Sequence, residues 1–371
     1  MLTPKERILK TLDGQEVDRL PVYDIIHNVE LIEYLADDKI TSANAEDITC
    51  KAVSKVLDLV RHFCVPSSLE ERTYRDEDGF VYLHQWWTRE IVERPNTTVE
   101  QTRDLMKRDV DRIHKAIEEG KVCWQALEHL ELLGEHCQTF EEVKELFLRI
   151  ANKLDGTCMV APESLPGMYT ALNRYGFEMT IYAYYDYPDD FFAMYHALCD
   201  YEVAKIHALG DLVEVAPVAL LSEAVAYNTG LMFSPEFIRE VQYPNIKRII
   251  DALKSHGYKV IFHADGTKWE ILDDIVSFGA DIIDPCETMA NMDIRKFREL
   301  YPDTTIASPV DCQELLALGP KERIADACWK VLDDCGGKRV LTGSTSEIHP
   351  GISVENAMTM YDIFRNQAVR S

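Results

Sequence analysis

The chain has 371 residues, of which 46% are apolar and 28% charged, and its 64 acidic side chains outnumber its 39 basic ones to give a formal charge of −25. The apolar fraction excludes general disorder, and the length is sufficient for a large core. So negative a chain repels phosphate backbones and anionic lipid, which argues against nucleic acid or a membrane surface as a main partner.

The start of the chain predicts a helix rather than an export signal. Thr3 can be the N-cap, Pro4 stands at the first helical position, and Glu6 completes a capping box. No apolar run reaches the roughly 20 residues needed to cross a bilayer. The ten cysteines include no CxxC pair. In a chain with no export signal we therefore expect reduced thiols and a cytoplasmic location.

Residues 44–156 are predicted to be mostly helical. Thr139 and Glu142 form a second capping box. Six apolar side chains then share one helix face: Phe140, Val143, Leu146, Phe147, Ile150 and Leu154. Residues 76–92 are the exception, because Asp78-Gly79 followed by a run of apolar and aromatic residues predicts a β-hairpin.

After Gly156, short apolar runs alternate with amphipathic helices. The predicted strands are 158–161, 212–215, 259–262, 281–283, 305–307 and 339–342, together with an early run at 21–26. The predicted helices between them include 235–255, 269–278, 294–300 and 321–334. Continuous apolar strands joined by helices indicate a parallel sheet that is covered on both faces.

Seven such strands predict an α/β fold, a (β/α)₈ TIM-type barrel with extra N-terminal helices and a β-hairpin excursion. We expect a single domain over 1–371, with a helix-rich N-terminal part at 1–156 and regular βα units at 157–371. A doubly wound open sheet is the alternative. No GxGxxG follows any predicted strand, which weakens the nucleotide-binding form of that alternative.

In both architectures, ligands gather at the carboxyl ends of the strands. Residues that directly follow the predicted strands are therefore candidates for one site. They are Glu214 near the end of 212–215, His263 and Asp265 after 259–262, Asp284, Cys286 and Glu287 after 281–283, Asp311 after 305–307, and Ser346 and His349 after 339–342. Imidazole, thiol and carboxylate groups are the donors that transition metals prefer.

Each of these residues also has a structural interpretation. Asp265 could cap the next helix, His263 could be a satisfied buried histidine, and Cys286 could be a small packing residue. Asp284 and Asp311 could bind loop amides. Glu214 is harder to explain in this way, because a carboxylate inside an apolar strand is costly to bury without a partner.

An aromatic stretch at residues 182–187 is a further candidate. Tyr184 and its neighbours could line a pocket for a flat ring. Packing between helices is the alternative interpretation of the same aromatic stripe.

Several segments resemble the uroporphyrinogen decarboxylase-like superfamily. They are residues 3–7, 12–14 and 18–22 near the start, 234–237, Pro244, 247–248, 262–266 and 285–287 in the second half, and 350–356 near the end. These segments bracket nearly the whole chain. The resemblance implies a TIM-type barrel with extra N-terminal helices.

The superfamily has a decarboxylase branch and a branch of zinc-dependent methyltransferases that work with corrinoid proteins. Decarboxylases carry an arginine-rich segment after the first strand, whereas residues 24–30 here contain no arginine, and their late histidine falls on Ser346. Thiol-methylating members bind zinc through His-x-Cys and a late Cys. Only His263 matches that pattern, since Asp265 and Ser346 replace the two cysteines. The two spaced glutamates of some O-demethylases fall on Tyr227 and Gln242.

The leading hypothesis is a zinc-dependent methyltransferase that moves a methyl group between a small methylated substrate, for example a methyl ether, and a corrinoid protein. The expected Zn²⁺ ligands are His263, Cys286 and Glu214, with Asp265 as an alternative. Asp265, Glu287 and Asp311 are the expected catalytic residues, and the expected substrate contacts are Asp24, Tyr184, Ser346 and His349.

The corrinoid must come from a partner chain, because no DxHxxG motif is present. A homodimer is plausible by the same resemblance. Two alternatives remain open: a metal-free decarboxylase of a tetrapyrrole or a smaller acid, and a non-catalytic tetrapyrrole-binding protein.

Overall fold

We describe the protein from a computed structural model that covers residues 2–123 and 137–366. Eight parallel strands form the barrel. They are, in chain order, Tyr23–Asp24, Leu59–Val60, Cys158–Met159 continued by Ala161–Ser164, Val218–Ser222, Lys259–His263, Ile282–Asp284, Thr305–Ala307 and Val340–Leu341. The split third strand belongs to both a three-stranded and a six-stranded sheet. A parallel bridge from Val22 to Thr342 joins the eighth strand to the first, so the predicted barrel is confirmed.

Strand register brings polar side chains together at the carboxyl end. The fifth strand lies between the fourth and the sixth, and its last residue, His263, is opposite Ser222 on one side and Asp284 on the other. The residues that precede these three are buried and apolar, as expected for strands covered on both faces. The barrel interior therefore changes from apolar to polar at the last residue of these three strands.

Two strands lie where the sequence analysis did not place them. The predicted strand at 212–215 is wrong: this segment is the end of a 3₁₀-helix, Gly210–Glu214, and the fourth strand is Val218–Ser222. Leu212 is buried whereas Glu214 is exposed, so the run has one buried face and does not enter the barrel. The second strand, Leu59–Val60, falls within the region predicted to be helical.

Most predicted helices are confirmed. The α-helices before the fourth strand are Pro4–Leu12, Val29–Ala36, Ala45–Val56, Val99–Glu119, Phe140–Lys153, Met168–Tyr175, Phe177–Asp186 and Pro188–Ala208. After it come Pro235–Phe237, Tyr243–Ser255, Leu272–Ser277, Ile294–Leu300, Leu315–Leu318, Lys321–Asp334 and Val354–Asn366, with a π-helical turn, Ile238–Gln242, and 3₁₀ turns at Trp269–Ile271 and Thr288–Ala290. The predicted helical region also includes residues 124–136, which lie outside the described residues.

The first helix closes the amino end of the barrel. Thr3 and Glu6 form the predicted capping box. Ile8 and Leu12 pack in one buried cluster with side chains from the barrel interior, among them Leu59 and Val218. This apolar cluster separates the amino end of the barrel from the polar level at the carboxyl end.

The predicted excursion is a three-stranded antiparallel sheet, Arg72–Arg75, Val81–His84 and Arg89–Glu93. A second antiparallel pair, Ala226–Tyr227 and Gly230–Leu231, follows the fourth strand. Both features contribute side chains to the cavity at the carboxyl end. All ten cysteines are buried thiols outside any disulfide. None of the helices in the described residues has the length and apolar character of a membrane span.

Candidate active site

A cavity of about 1140 Å³ lies at the carboxyl ends of the strands. Its floor is polar and comes from the barrel strands, whereas its walls come from the excursion and from the helices after the third strand. Floor residues are Arg61, His62, Glu163, Ser222 and His263, and wall residues include Trp87, Arg94, Tyr169, Phe177 and Tyr227. A polar floor under aromatic walls suits a small ligand with an apolar body and a reactive polar end.

Arg61 follows the second strand and lies between two carboxylates. Its guanidinium nitrogens are 3.5 Å from Glu163 Oε1 and 3.9 Å from Asp284 Oδ2. Burial opposes the charge of Arg61, but Glu163, Tyr23 and Asp284 hold its pKa above the ordinary value. Arg61 is therefore a permanent positive charge in the floor.

Two carboxylate–histidine pairs flank Arg61. His62 Nε2 lies 2.6 Å from Glu163 Oε2, and His263 Nδ1 lies 2.7 Å from Asp284 Oδ2. Glu163 also accepts a hydrogen bond from the Ser222 hydroxyl. Both acids are buried, so each pair holds its imidazole in a fixed orientation.

The His263–Asp284 pair presents a ring nitrogen to the cavity. When His263 is neutral, Nδ1–H donates to Asp284 and leaves Nε2 as an acceptor, 3.7 Å from Asp265 Oδ1. Burial works against ionisation of Asp284, but the hydrogen bond from His263 and the charges of His263 and Arg61 hold its pKa below the usual range. This arrangement can move a proton at Nε2.

Two buried carboxyl groups near the cavity have raised pKa values. Burial raises the pKa of Glu223 to about 7, although the amides of Met168, Tyr169 and Ala224 donate to this carboxylate. Asp24 is the second of these carboxyl groups and does not itself line the cavity.

Burial raises the pKa of Asp24 to about 7 as well. Its carboxylate accepts from the Ser344 hydroxyl at 2.6 Å and from the Tyr361 hydroxyl at 3.1 Å. Asp24 was predicted to bind substrate. The structure shows it anchoring the loop after the eighth strand, beside cavity-lining Ile25.

His27 is a neutral imidazole in the cavity wall. Its Nε2 lies 3.2 Å from Cys64 Sγ, and its ring packs against Trp86 and Trp87. Burial lowers the pKa of His27 to about 3, so this residue adds no charge to the cavity at neutral pH.

The predicted zinc ligands do not come together. Glu214 is exposed at the amino end, where Lys5 donates to its main-chain oxygen, so the prediction that it shares a metal with His263 is wrong. The Cys286 thiol is fully buried, 3.6 Å from the Met292 carbonyl oxygen. No three His, Cys, Asp or Glu side chains of the described residues are arranged to hold a metal ion. A catalytic zinc site needs about three protein ligands, so residues 2–123 and 137–366 do not fit one.

Of the other predicted residues, Asp265 and Ser346 line the cavity. Asp265 is 69% exposed. Glu287 lies beneath Asp265, where it accepts the Gly266 amide at 2.5 Å, and burial raises its pKa. Glu287 therefore orients the loop that carries Asp265.

Three predicted residues lie elsewhere, which corrects their assignment to the site. Asp311 accepts the amides of Glu314 and Leu315 and lines a separate cavity of about 390 Å³. Tyr184 packs against Phe191, Phe192 and Phe237, so the alternative of helix packing holds. His349 accepts the Gly351 amide in its own loop and lies 3.2 Å from the Cys312 carbonyl oxygen in the loop after the seventh strand. None of the three is among the residues that line the large cavity.

Sequence reasoning missed most of the floor. Arg61 and His62 follow a two-residue strand, Leu59–Val60, that is too short to stand out between helices. Glu163 and Ser222 stand at the ends of the third and fourth strands. The run Val218-Ala219-Leu220-Leu221 after Pro217 was a usable signal for the fourth strand.

A family model described as uroporphyrinogen decarboxylase (URO-D) matches residues 132–367. This match covers more than half of the chain, and the chain belongs to the URO-D family. No curated protein sequence matches the chain significantly.

Among solved structures, 36 chains match significantly. A methyltransferase from Methanosarcina mazei is one of them, with a TM-score of 0.64 and 16% sequence identity. The match covers 98% of this chain and 100% of that one. At this identity the likeness shows the shared fold.

Proposed function

We propose that the protein is a methyltransferase component that moves a methyl group between a small methylated substrate and a corrinoid carried by a partner protein. The observation that carries the proposal is the His263–Asp284 pair, whose free ring nitrogen faces a large cavity. Membership of the URO-D family and the likeness to a methyltransferase support it.

The chain's own residues bind the substrate and move the proton. When the methyl group leaves an oxygen or similar atom, that atom gains an electron pair and needs a proton, which protonated His263 supplies from Nε2. Asp284 holds the imidazole in place and stabilises its charged form. In the reverse direction, neutral His263 accepts the proton. The methyl acceptor or donor would be a corrinoid brought by a partner protein.

The cavity is open enough for a partner to reach the substrate. Tyr169, Phe177 and Tyr227 line it and are also among the exposed aromatic residues. Aromatic side chains at a rim can contact a flat macrocycle or an apolar partner surface. Because the described residues form no three-donor metal site, the proposal routes no step through Zn²⁺.

The test is product formation from candidate methyl ethers in the presence of free reduced cobalamin, without oxygen. We expect demethylated product from the wild-type protein and a loss of roughly 10²–10⁴-fold in rate for His263→Ala, the usual contribution of a general acid or base. His114→Ala is the matched control, since His114 is exposed on the helix Val99–Glu119. Unchanged turnover in His263→Ala contradicts the assigned role.

A second candidate is a metal-free decarboxylase of a tetrapyrrole or a smaller acid. Arg61 favours it, because its contacts to Glu163 and Asp284 are long, at 3.5 and 3.9 Å, and a positive charge so held in the cavity floor can also attract a substrate carboxylate. Release of CO₂ from uroporphyrinogen without cobalamin would support this activity over methyl transfer. Tight tetrapyrrole binding with neither product would instead indicate a carrier protein.

A further inference from the structure

The cavity wall contains an arginine that no carboxylate within residues 2–123 and 137–366 contacts. Arg94 directly follows the excursion strand Arg89–Glu93, lines the cavity and is half-buried. Its Nε and Nη2 donate to the Asn173 carbonyl oxygen, at 3.1 and 2.6 Å. Burial lowers the pKa of Arg94, and among the described residues only Tyr82 opposes that effect.

The most deeply buried arginines of the described residues have acidic partners, whereas the half-buried Arg298 and Arg365, like Arg94, make no ion pair. Arg7 contacts Asp18 and Asp58, Arg61 contacts Glu163 and Asp284, and Arg174 contacts Asp109. With 64 acidic residues against 39 basic ones, partners are plentiful. A partly buried charge without a counter-ion is costly. Of Arg94, Arg298 and Arg365, Arg94 is the one that lines the cavity, so it is placed for an anion that enters there.

We propose that Arg94 binds an anionic group of the substrate, which makes the substrate a small methylated acid. This inference rests on the proposed function, whose cavity it shares. The Asn173 carbonyl occupies two of the five guanidinium N–H groups, and the remaining ones can hold a carboxylate.

The charges around the cavity orient such a substrate. Glu163 and Asp284 already pair with histidines in the floor, and Glu223 accepts three backbone amides. Arg94, in the wall, therefore offers an acid a guanidinium that contacts no carboxylate of the described residues. With the acid group of the substrate at Arg94, its methyl-bearing end lies toward the floor, near His263.

A purely structural role makes a different prediction. Arg94 caps the carboxyl end of the helix Met168–Tyr175 through the Asn173 carbonyl. If capping were the only role of Arg94, replacing this residue would weaken the binding of charged and neutral ligands equally. The comparison of two ligands that differ only in charge separates the two roles.

The experiment measures binding of 4-methoxybenzoate and 4-methoxybenzamide by calorimetry, with no corrinoid present. Arg94→Gln is expected to raise the dissociation constant of the acid by about tenfold to a hundredfold, as for loss of a hydrogen bond to a charged group. The dissociation constant of the amide should change by no more than about twofold. Arg94→Lys should restore part of the preference. Arg72→Gln, on the exposed first strand of the same excursion, controls for net charge.

Equal losses for both probes, or no loss, overturn the proposal, and so does a wild-type protein that does not prefer the acid. If Arg94→Gln fails to fold, the test is the salt dependence of binding to the wild-type protein. Only binding of the acid should weaken severalfold between about 0.05 and 0.5 M salt. Binding is measured without turnover. A failure of methyl transfer therefore leaves this test intact.

Discussion

The two ends of the barrel each bury an arginine between two carboxylates, but with different geometry. At the amino end, Arg7 donates to Asp18 at 2.8 Å and to Asp58 at 2.7 Å, and Asp58 also accepts from Arg19 and the Val22 amide. At the carboxyl end, Arg61 is 3.5 Å from Glu163 and 3.9 Å from Asp284.

This difference separates a structural network from a reactive one. At the amino end, close hydrogen bonds from Arg7, Arg19 and the Val22 amide satisfy both oxygens of Asp58. At the carboxyl end, the longer contacts leave the acids free to pair with His62 and His263, which line the cavity. Loss of Asp58 should therefore affect folding, and loss of Asp284 should affect turnover.

The largest expected effect is on catalysis by Asp284→Asn. The amide can no longer accept the Nδ1–H of His263 as a carboxylate does, so the imidazole loses both its tautomer and its stabilised charged form. We expect a fall in kcat of roughly 10²–10⁴-fold. Steady-state kinetics measures this, alongside urea unfolding. A variant that loses stability and keeps its turnover would reverse the comparison.

The second effect is on stability, at the other end. Asp58→Asn leaves Arg7 and Arg19 without their shared buried carboxylate, and breaking such a pair costs about 3–5 kcal/mol in free energy of unfolding. Urea denaturation measures the loss. Residual folded protein at low temperature should keep the wild-type kcat, since Asp58 does not line the cavity. A selective fall in kcat would argue against a purely structural amino end.

The smallest effect is a pH dependence of stability from Glu223. Its folded-state pKa of about 7 lies above the ordinary value of 4.5, so the folded state holds the proton more tightly. The resulting stability is fully present below pH 4.5 and is lost as the pH rises to about 7, by at most about 3 kcal/mol. Glu223→Gln should flatten this slope in denaturation curves recorded from pH 4.5 to 8. A slope that persists in the variant must come from another group, with Asp24 the first to test.

Much of the fold could be predicted from local patterns. Thr3 and Glu6 predicted the first helix, and Asp78-Gly79 predicted the excursion. The strand at 259–262 was visible because Val260, Ile261 and Phe262 are three successive apolar residues suited to burial on both faces. Two strands escaped prediction because Leu59–Val60 has only two residues and because the run at 212–215 was mistaken for the nearby fourth strand.

The site was less predictable than the fold. His263, Asp265 and Ser346 were correctly placed near the cavity, since they follow strands in an obvious way. Cys286 and Asp311 follow strands equally well, yet each bonds within its own loop, to the Met292 carbonyl and the Glu314 amide respectively. Position after a strand fixes the end of the barrel at which a residue lies, but not the direction of its side chain.

A parallel α/β barrel, the capped first helix and the polar residues at the strand ends could be predicted from the amino-acid sequence, and the resemblance of several segments added the URO-D type. Local burial patterns and turn residues predict the first three, because each depends on only a few neighbouring positions. The folded structure was needed to show that Arg61, Glu163 and Asp284 meet and that Arg94 reaches the same cavity. Those contacts join residues from distant parts of the chain, and they depend on barrel closure and on side-chain direction, neither of which a local pattern encodes.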